Sequence, residues 1–158
     1  MKTVEQAMSQ SARQPQYVPE SLKTAEVILT TVRQDGLALQ YVPKSLMTPE
    51  VITTALRQEG LALKYVPESL MTPEIVMVAV DETGWALGHV PDHLKTLELA
   101  MTAVSKDGMA LEYVPDSLKT EKVVTTAVNQ DPWSIQFVPG GLKTPELVAI
   151  ADKAKSEQ

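Results

Sequence analysis

The sequence predicts an all-α protein, a right-handed α-solenoid of short helix-turn-helix repeats with a 24-residue period. Three observations carry the prediction. A phrase recurs as Tyr17-Val18-Pro19, Tyr41-Val42-Pro43, Tyr65-Val66-Pro67, His89-Val90-Pro91, Tyr113-Val114-Pro115 and Phe137-Val138-Pro139, each 24 residues after the last. Within that frame come a leucine (Leu22, Leu46, Leu70, Leu94, Leu118, Leu142) and a threonine (Thr24, Thr48, Thr72, Thr96, Thr120, Thr144). After each threonine the apolar residues fall at helical spacing, as in Val51, Ile52, Ala55 and Leu56, and do not alternate as in a half-buried strand.

Each repeat opens on a helix start. In Thr48-Pro49-Glu50 the threonine oxygen accepts an orphan amide hydrogen, the proline has its φ preset for the first helical position, and the glutamate faces the positive end of the dipole. Thr72-Pro73-Glu74 and Thr144-Pro145-Glu146 repeat it. Gly36, Gly60, Gly84 and Gly108 are read as left-handed C-terminal caps, giving a first helix of about 12 residues. Leu61 to Val66 then suffices for about two helical turns before Pro67, which restricts the residue ahead of it, and Glu68-Ser69-Leu70 adds one more turn.

Such short helices are marginal alone and persist by burying Val27, Ile28, Val32, Leu39, Val42, Leu46 and their counterparts against adjacent repeats. Each fully buried side chain of this kind contributes roughly 1.5–3 kcal/mol. The chain therefore reads as a single repeat domain, 1–158: a degenerate N-terminal cap at 1–16, five full repeats at 17–136, and a C-terminal partial repeat and cap at 137–158. Atypical terminal repeats cover the apolar faces that a stack leaves open.

Composition narrows the function. With 14 Lys and Arg against 20 Asp and Glu, the net charge of −6 has the wrong sign for tracking a phosphate backbone, so no direct nucleic-acid binding is expected. The absence of cysteine excludes disulfides, thiolate metal sites and cysteine nucleophiles. Neither a signal-peptide core at the start nor a run of ~18 apolar residues is present. The expectation is a soluble cytoplasmic protein without membrane association, secretion as an effector being left open.

The run Ala103-Val104-Ser105-Lys106-Asp107-Gly108-Met109-Ala110-Leu111-Glu112-Tyr113 resembles an uncharacterised family of tandem α-helical repeats, a domain of unknown function. That family occurs in bacterial proteins, some of them secreted effectors, and in large protist proteins. The resemblance covers almost the whole chain and implies the fold, with no established activity attached. This chain differs from the family pattern in its Val-Pro phrase and in its Lys-Thr-Pro or Met-Thr-Pro helix start.

Catalytic chemistry finds little support. His89 and His93, with Asp92 between them, have the spacing of two metal ligands on a helix, but Pro91 interrupts the geometry and the repeat frame supplies no third ligand. Glu26, Glu50, Glu74, Glu98 and Glu146 are accounted for as helix-start carboxylates, and the threonines as caps with no base to activate them. No phosphate-binding glycine loop is present. The protein is expected not to be an enzyme and to use no metal or cofactor.

Function is then sought where repeats differ in slots the core does not fix. The slot after the glycine runs Leu37, Leu61, Trp85, Met109, Trp133, and a slot inside the first helix runs Leu29, Thr53, Met77, Met101, Thr125. Trp85, Met77, Met101, Met109 and Trp133 are candidate anchors for a partner protein, against a plainer role in packing between repeats. Charged slots run Arg33, Arg57, Asp81, Ser105, Asn129 and Glu20, Lys44, Glu68, Asp92, Asp116, turning from basic to acidic along the chain. Two functions follow: a non-enzymatic module binding a protein along an elongated face, or an inhibitor of a nucleic-acid-handling complex, such as an anti-CRISPR or similar counter-defence protein. The second would occupy a basic surface with Asp81, Glu82, Asp92, Asp107, Glu112 and Asp116.

Overall fold

The computed structural model describes residues 25–156. The degenerate cap expected at 1–16 lies outside them, with the opening phrase at Tyr17, Leu22 and Thr24 and the end of the polar tail. Every element is helical, and there is no strand among the described residues. Six α-helices run α1 (Ala25–Gln34), α2 (Pro49–Gln58), α3 (Pro73–Glu82), α4 (Leu97–Lys106), α5 (Glu121–Gln130) and α6 (Pro145–Ser156). After each of the first five comes a six-residue 3₁₀-helix: η1 (Gly36–Tyr41), η2 (Gly60–Tyr65), η3 (Gly84–His89), η4 (Gly108–Tyr113) and η5 (Pro132–Phe137). A single further turn, such as Glu68–Leu70, leads to the next α-helix.

The helix starts form as the sequence implies. Thr48, Thr72, Thr96, Thr120 and Thr144 accept the amide hydrogens of Val51, Ile75, Leu99, Val123 and Leu147 at 3.2–3.3 Å. At two starts the glutamate joins the cap: the carboxylates of Glu74 and Glu146 are held below the ordinary glutamate range, first by their own backbone N–H and then by the hydroxyls of Thr72 and Thr144. The phrase before each proline ends the 3₁₀-helix, Val66 taking extended backbone at φ −80°, ψ 123°.

Two expectations need correction. The first α-helix of a repeat has 10 residues in α1 to α5, short of the 12 expected, because one extended residue ends it and begins the 3₁₀-helix. Glu59, at φ −150° and ψ 101°, is the C-cap of α2 and the N-cap of η2. Nor are the glycines left-handed caps, since none among the described residues has positive φ. They stand at the first position of the 3₁₀-helix, where the next repeat presses on them. A Cβ on Gly36 would lie 2.5 Å from the carbonyl oxygen of Ala55, and one on Gly84 or Gly108 would collide with the carbonyl of Ala103 or Ala127.

The described residues fall into two compact units that divide between Glu82 and Thr83. In the first, α2 packs on α1 and α3 and lies between η1 and η2, which touch each other. Val32, Leu39, Ile52, Leu56 and Leu63 are fully buried there. In the second, α4 lies between η3 and η4, α5 between η4 and η5, and α6 closes against α5 and η5. Its core holds Leu87, Leu99, Val104, Leu111, Val123 and Val128. Val27, Val42 and Leu46, expected in the core, are half-buried.

Candidate interaction surface

In the second unit the 3₁₀-helices stand in a row, η3 beside η4 and η4 beside η5. Three of the five candidate anchors fall on that row: Trp85 on η3, Met109 on η4 and Trp133 on η5. The two tryptophans, the only ones in the chain, are 38% and 45% exposed, while Met109 is half-buried. The other two anchors are also half-buried but lie on α-helices, Met101 on α4 and Met77 on α3 of the first unit.

Trp85 owes its position to two features that local sequence patterns do not reveal. Its ring meets Tyr113 of the next repeat edge-on, with centroids 5.9 Å apart and planes at 66°. The same tyrosine ring lies against Gly88, where a Cβ would come within 3.2 Å of it. Gly88 takes a slot filled elsewhere by Gln40, Lys64, Glu112 and Gln136. The third repeat thus sets its largest residue beside its smallest, and the neighbour's tyrosine occupies the difference. Part of each tryptophan's surface therefore remains in solvent, and Trp85 also packs between repeats.

The acidic candidates separate by partner. Asp92 and Asp116 are exposed but bind the ammonium groups of Lys95 and Lys119 at 2.9 and 3.0 Å, the lysine stems being almost buried. Asp107 acts inside the stack, its Oδ2 accepting from Gly84 N–H at 2.6 Å and from the Thr83 hydroxyl at 3.3 Å. The equivalent bond one repeat on is made by Gln130, whose Oε1 accepts from Gly108 N–H at 2.5 Å while its Nε2 donates to the carbonyl of Lys106 at 2.9 Å. Each bond satisfies the first free amide of a 3₁₀-helix. Asp81 and Glu82 are exposed at the end of α3, and Glu112 is exposed on η4 with no hydrogen-bond or ion-pair partner among the described residues.

Signs of catalysis or metal binding are few. His89 closes η3 and His93 lies in the separate turn Asp92–Leu94, both exposed. No group of three or more metal-ligating side chains gathers among the described residues, and none of their helices is long and apolar enough to cross a membrane.

Fold and surface together define an all-helical protein of tandem repeats, each built from one α-helix and the 3₁₀-helix that follows it. The chain belongs to the family described as a domain of unknown function, DUF4116, whose sequence profile matches residues 2–47, 48–95 and 96–143. Each matched segment spans two of the short repeats, and Trp85 and Trp133 stand at equivalent places in the second and third. No curated protein and no solved structure matches the chain.

Proposed function

We propose that the protein is a non-enzymatic protein-protein interaction module, a right-handed α-solenoid with a 24-residue period that binds a partner protein through the row of 3₁₀-helices bearing Trp85, Met109 and Trp133. The observation that carries the reading is the exposure of the chain's only two tryptophans in one slot of repeats two apart. Tryptophan offers a large rigid contact area and is enriched among residues that dominate binding energy. Of the six carboxylates the inhibitor alternative would use, Asp92 and Asp116 are paired with lysines and Asp107 is committed between repeats, which favours the module.

The test is capture of partners on the immobilised protein beside a Trp85→Ala/Trp133→Ala variant whose circular dichroism and melting are unchanged. Loss of a specific nuclease-resistant protein partner from the variant supports the module. An unchanged set of captured proteins overturns it.

A further inference from the structure

Gly36, Gly84 and Gly108 open their 3₁₀-helices from buried positions, each under an alanine carbonyl of the next repeat. The first amide of a helix has no acceptor inside that helix and must find one elsewhere. In the second unit the acceptor comes across the repeat boundary, where Asp107 takes the Gly84 N–H at 2.6 Å and Gln130 takes the Gly108 N–H at 2.5 Å. In the first unit the Gly36 N–H has no hydrogen-bond partner among the described residues, although η1 and η2 touch as η3 and η4 do.

The residue before each glycine accounts for the difference. That slot runs Asp35, Glu59, Thr83, Asp107, Asp131. Glu59, Asp107 and Asp131 each press on the glycine of the preceding repeat, their Cβ atoms 2.9, 3.0 and 2.8 Å from where a glycine Cβ would lie. Among the described residues only Asp107 turns its carboxylate onto that glycine, and it is the one that meets a hydroxyl, Thr83, in the preceding repeat. Glu59 would meet the carboxylate of Asp35, and Asp131 that of Asp107, and like charges brought together repel. Asp35 and Asp131 cap their own helices instead, through the N–H groups of Leu37 and Trp133. At the boundary of η4 and η5 a neutral side chain takes over, and Gln130 also donates from Nε2 to the Lys106 carbonyl at 2.9 Å. Gln58, in the corresponding slot of α2, makes no such bond.

We propose that Asp107 and Gln130 are positioning residues, two clamps that fasten η3 to η4 and η4 to η5 and hold the row bearing Trp85, Met109 and Trp133 in one arrangement, while η1 opens without such a restraint. In a stack whose stability is a sum of neighbour terms, a boundary that carries a clamp opens less often than one that lacks it. The proposal rests on the hydrogen bonds and would stand if no partner used the row. A surface held in one arrangement beforehand loses less freedom when it binds.

The test is amide hydrogen exchange in the full chain, read residue by residue by NMR at neutral pH. Burial is matched among the three glycines, and Gly36 and Gly108 both follow an aspartate, so their unstructured rates are alike. Relative to those rates, Gly84 and Gly108 should exchange about tenfold or more slowly than Gly36. Asp107→Ala should speed exchange at Gly84 and leave Gly36 unmoved, and Asp107→Asn, which keeps an acceptor oxygen, should restore the protection. Gln130→Ala should act in the same way on Gly108. With Trp133→Phe leaving a single indole, Asp107→Ala should also raise acrylamide quenching of Trp85, which reports the looseness of η3. Equal protection of the three glycines in the unsubstituted protein, which no folding defect can cause, overturns the proposal. Protection of Gly84 that survives Asp107→Ala overturns it as well, and so does quenching of Trp85 that the substitution leaves unchanged.

Discussion

The rings of Trp85 and Tyr113 meet edge-on with their centroids 5.9 Å apart, one contributed by the third repeat and the other by the fourth. Such a pair contributes about 0.5–1.5 kcal/mol beyond its area burial. A double-mutant cycle of Trp85→Leu and Tyr113→Leu, read by urea unfolding, should return a coupling energy in that range. A coupling near zero would mean that the tryptophan is held by something else.

A second prediction concerns the glycines. Gly108→Ala places a Cβ against the Ala127 carbonyl and 2.7 Å from the amide nitrogen of Asp131, neither of which is a flexible side-chain end. Overpacking against backbone costs about 1–3 kcal/mol or more. Gly140→Ala meets nothing within 4 Å, and it removes freedom from the unfolded chain, so it should be neutral or stabilising by up to about 1 kcal/mol. Urea midpoints of the two variants should move in opposite directions or differ by at least the overpacking cost.

That contrast marks what the sequence makes legible. The pairing of Thr48 with Val51 and the break at Val66 before Pro67 are relations within a few residues, and the recurring phrase displays each of them. Gly36 against Ala55, Asp107 with Gly84, and Tyr113 over Gly88 join different repeats. A periodic pattern shows that such slots matter but not which neighbour fills them. Gly36 thus resembled a helix stop when its role is close approach, and Asp107 resembled a free surface acid when it binds a neighbouring amide. The lysines at 95 and 119, to which the repeat pattern assigns no role, have almost buried side chains.

Ser134 supports a third prediction. It is fully buried in the slot held by Ala38, Ala62, Ala86 and Ala110, and its hydroxyl has no hydrogen-bond partner among the described residues. A buried polar group left unsatisfied costs about 1–3 kcal/mol. Ser134→Ala should therefore stabilise the protein by about 1 kcal/mol or more, seen as a higher urea midpoint with an unchanged denaturant slope. A loss of stability would show that the hydroxyl is bound in solution.

The last prediction follows from the helix starts at Glu74 and Glu146. Both carboxylates titrate below the ordinary glutamate range, because their own backbone amides and the hydroxyls of Thr72 and Thr144 favour the charged form. A group whose folded pKa is depressed contributes stability that is present above the unfolded value and is lost as pH falls through the folded value. The contribution is therefore fully present near neutral pH and is lost on acidification, as pH falls from the ordinary carboxylate range through the lower folded value. Side-chain NMR titration should find these two glutamates protonating later, on acidification, than an unstructured glutamate peptide. Thr72→Val removes the hydroxyl and should raise the Glu74 midpoint while leaving the midpoint at Glu146 unmoved. The residual depression at Glu74 then measures the backbone amide alone, and equal midpoints before and after the substitution would remove the threonine from the cap's electrostatics.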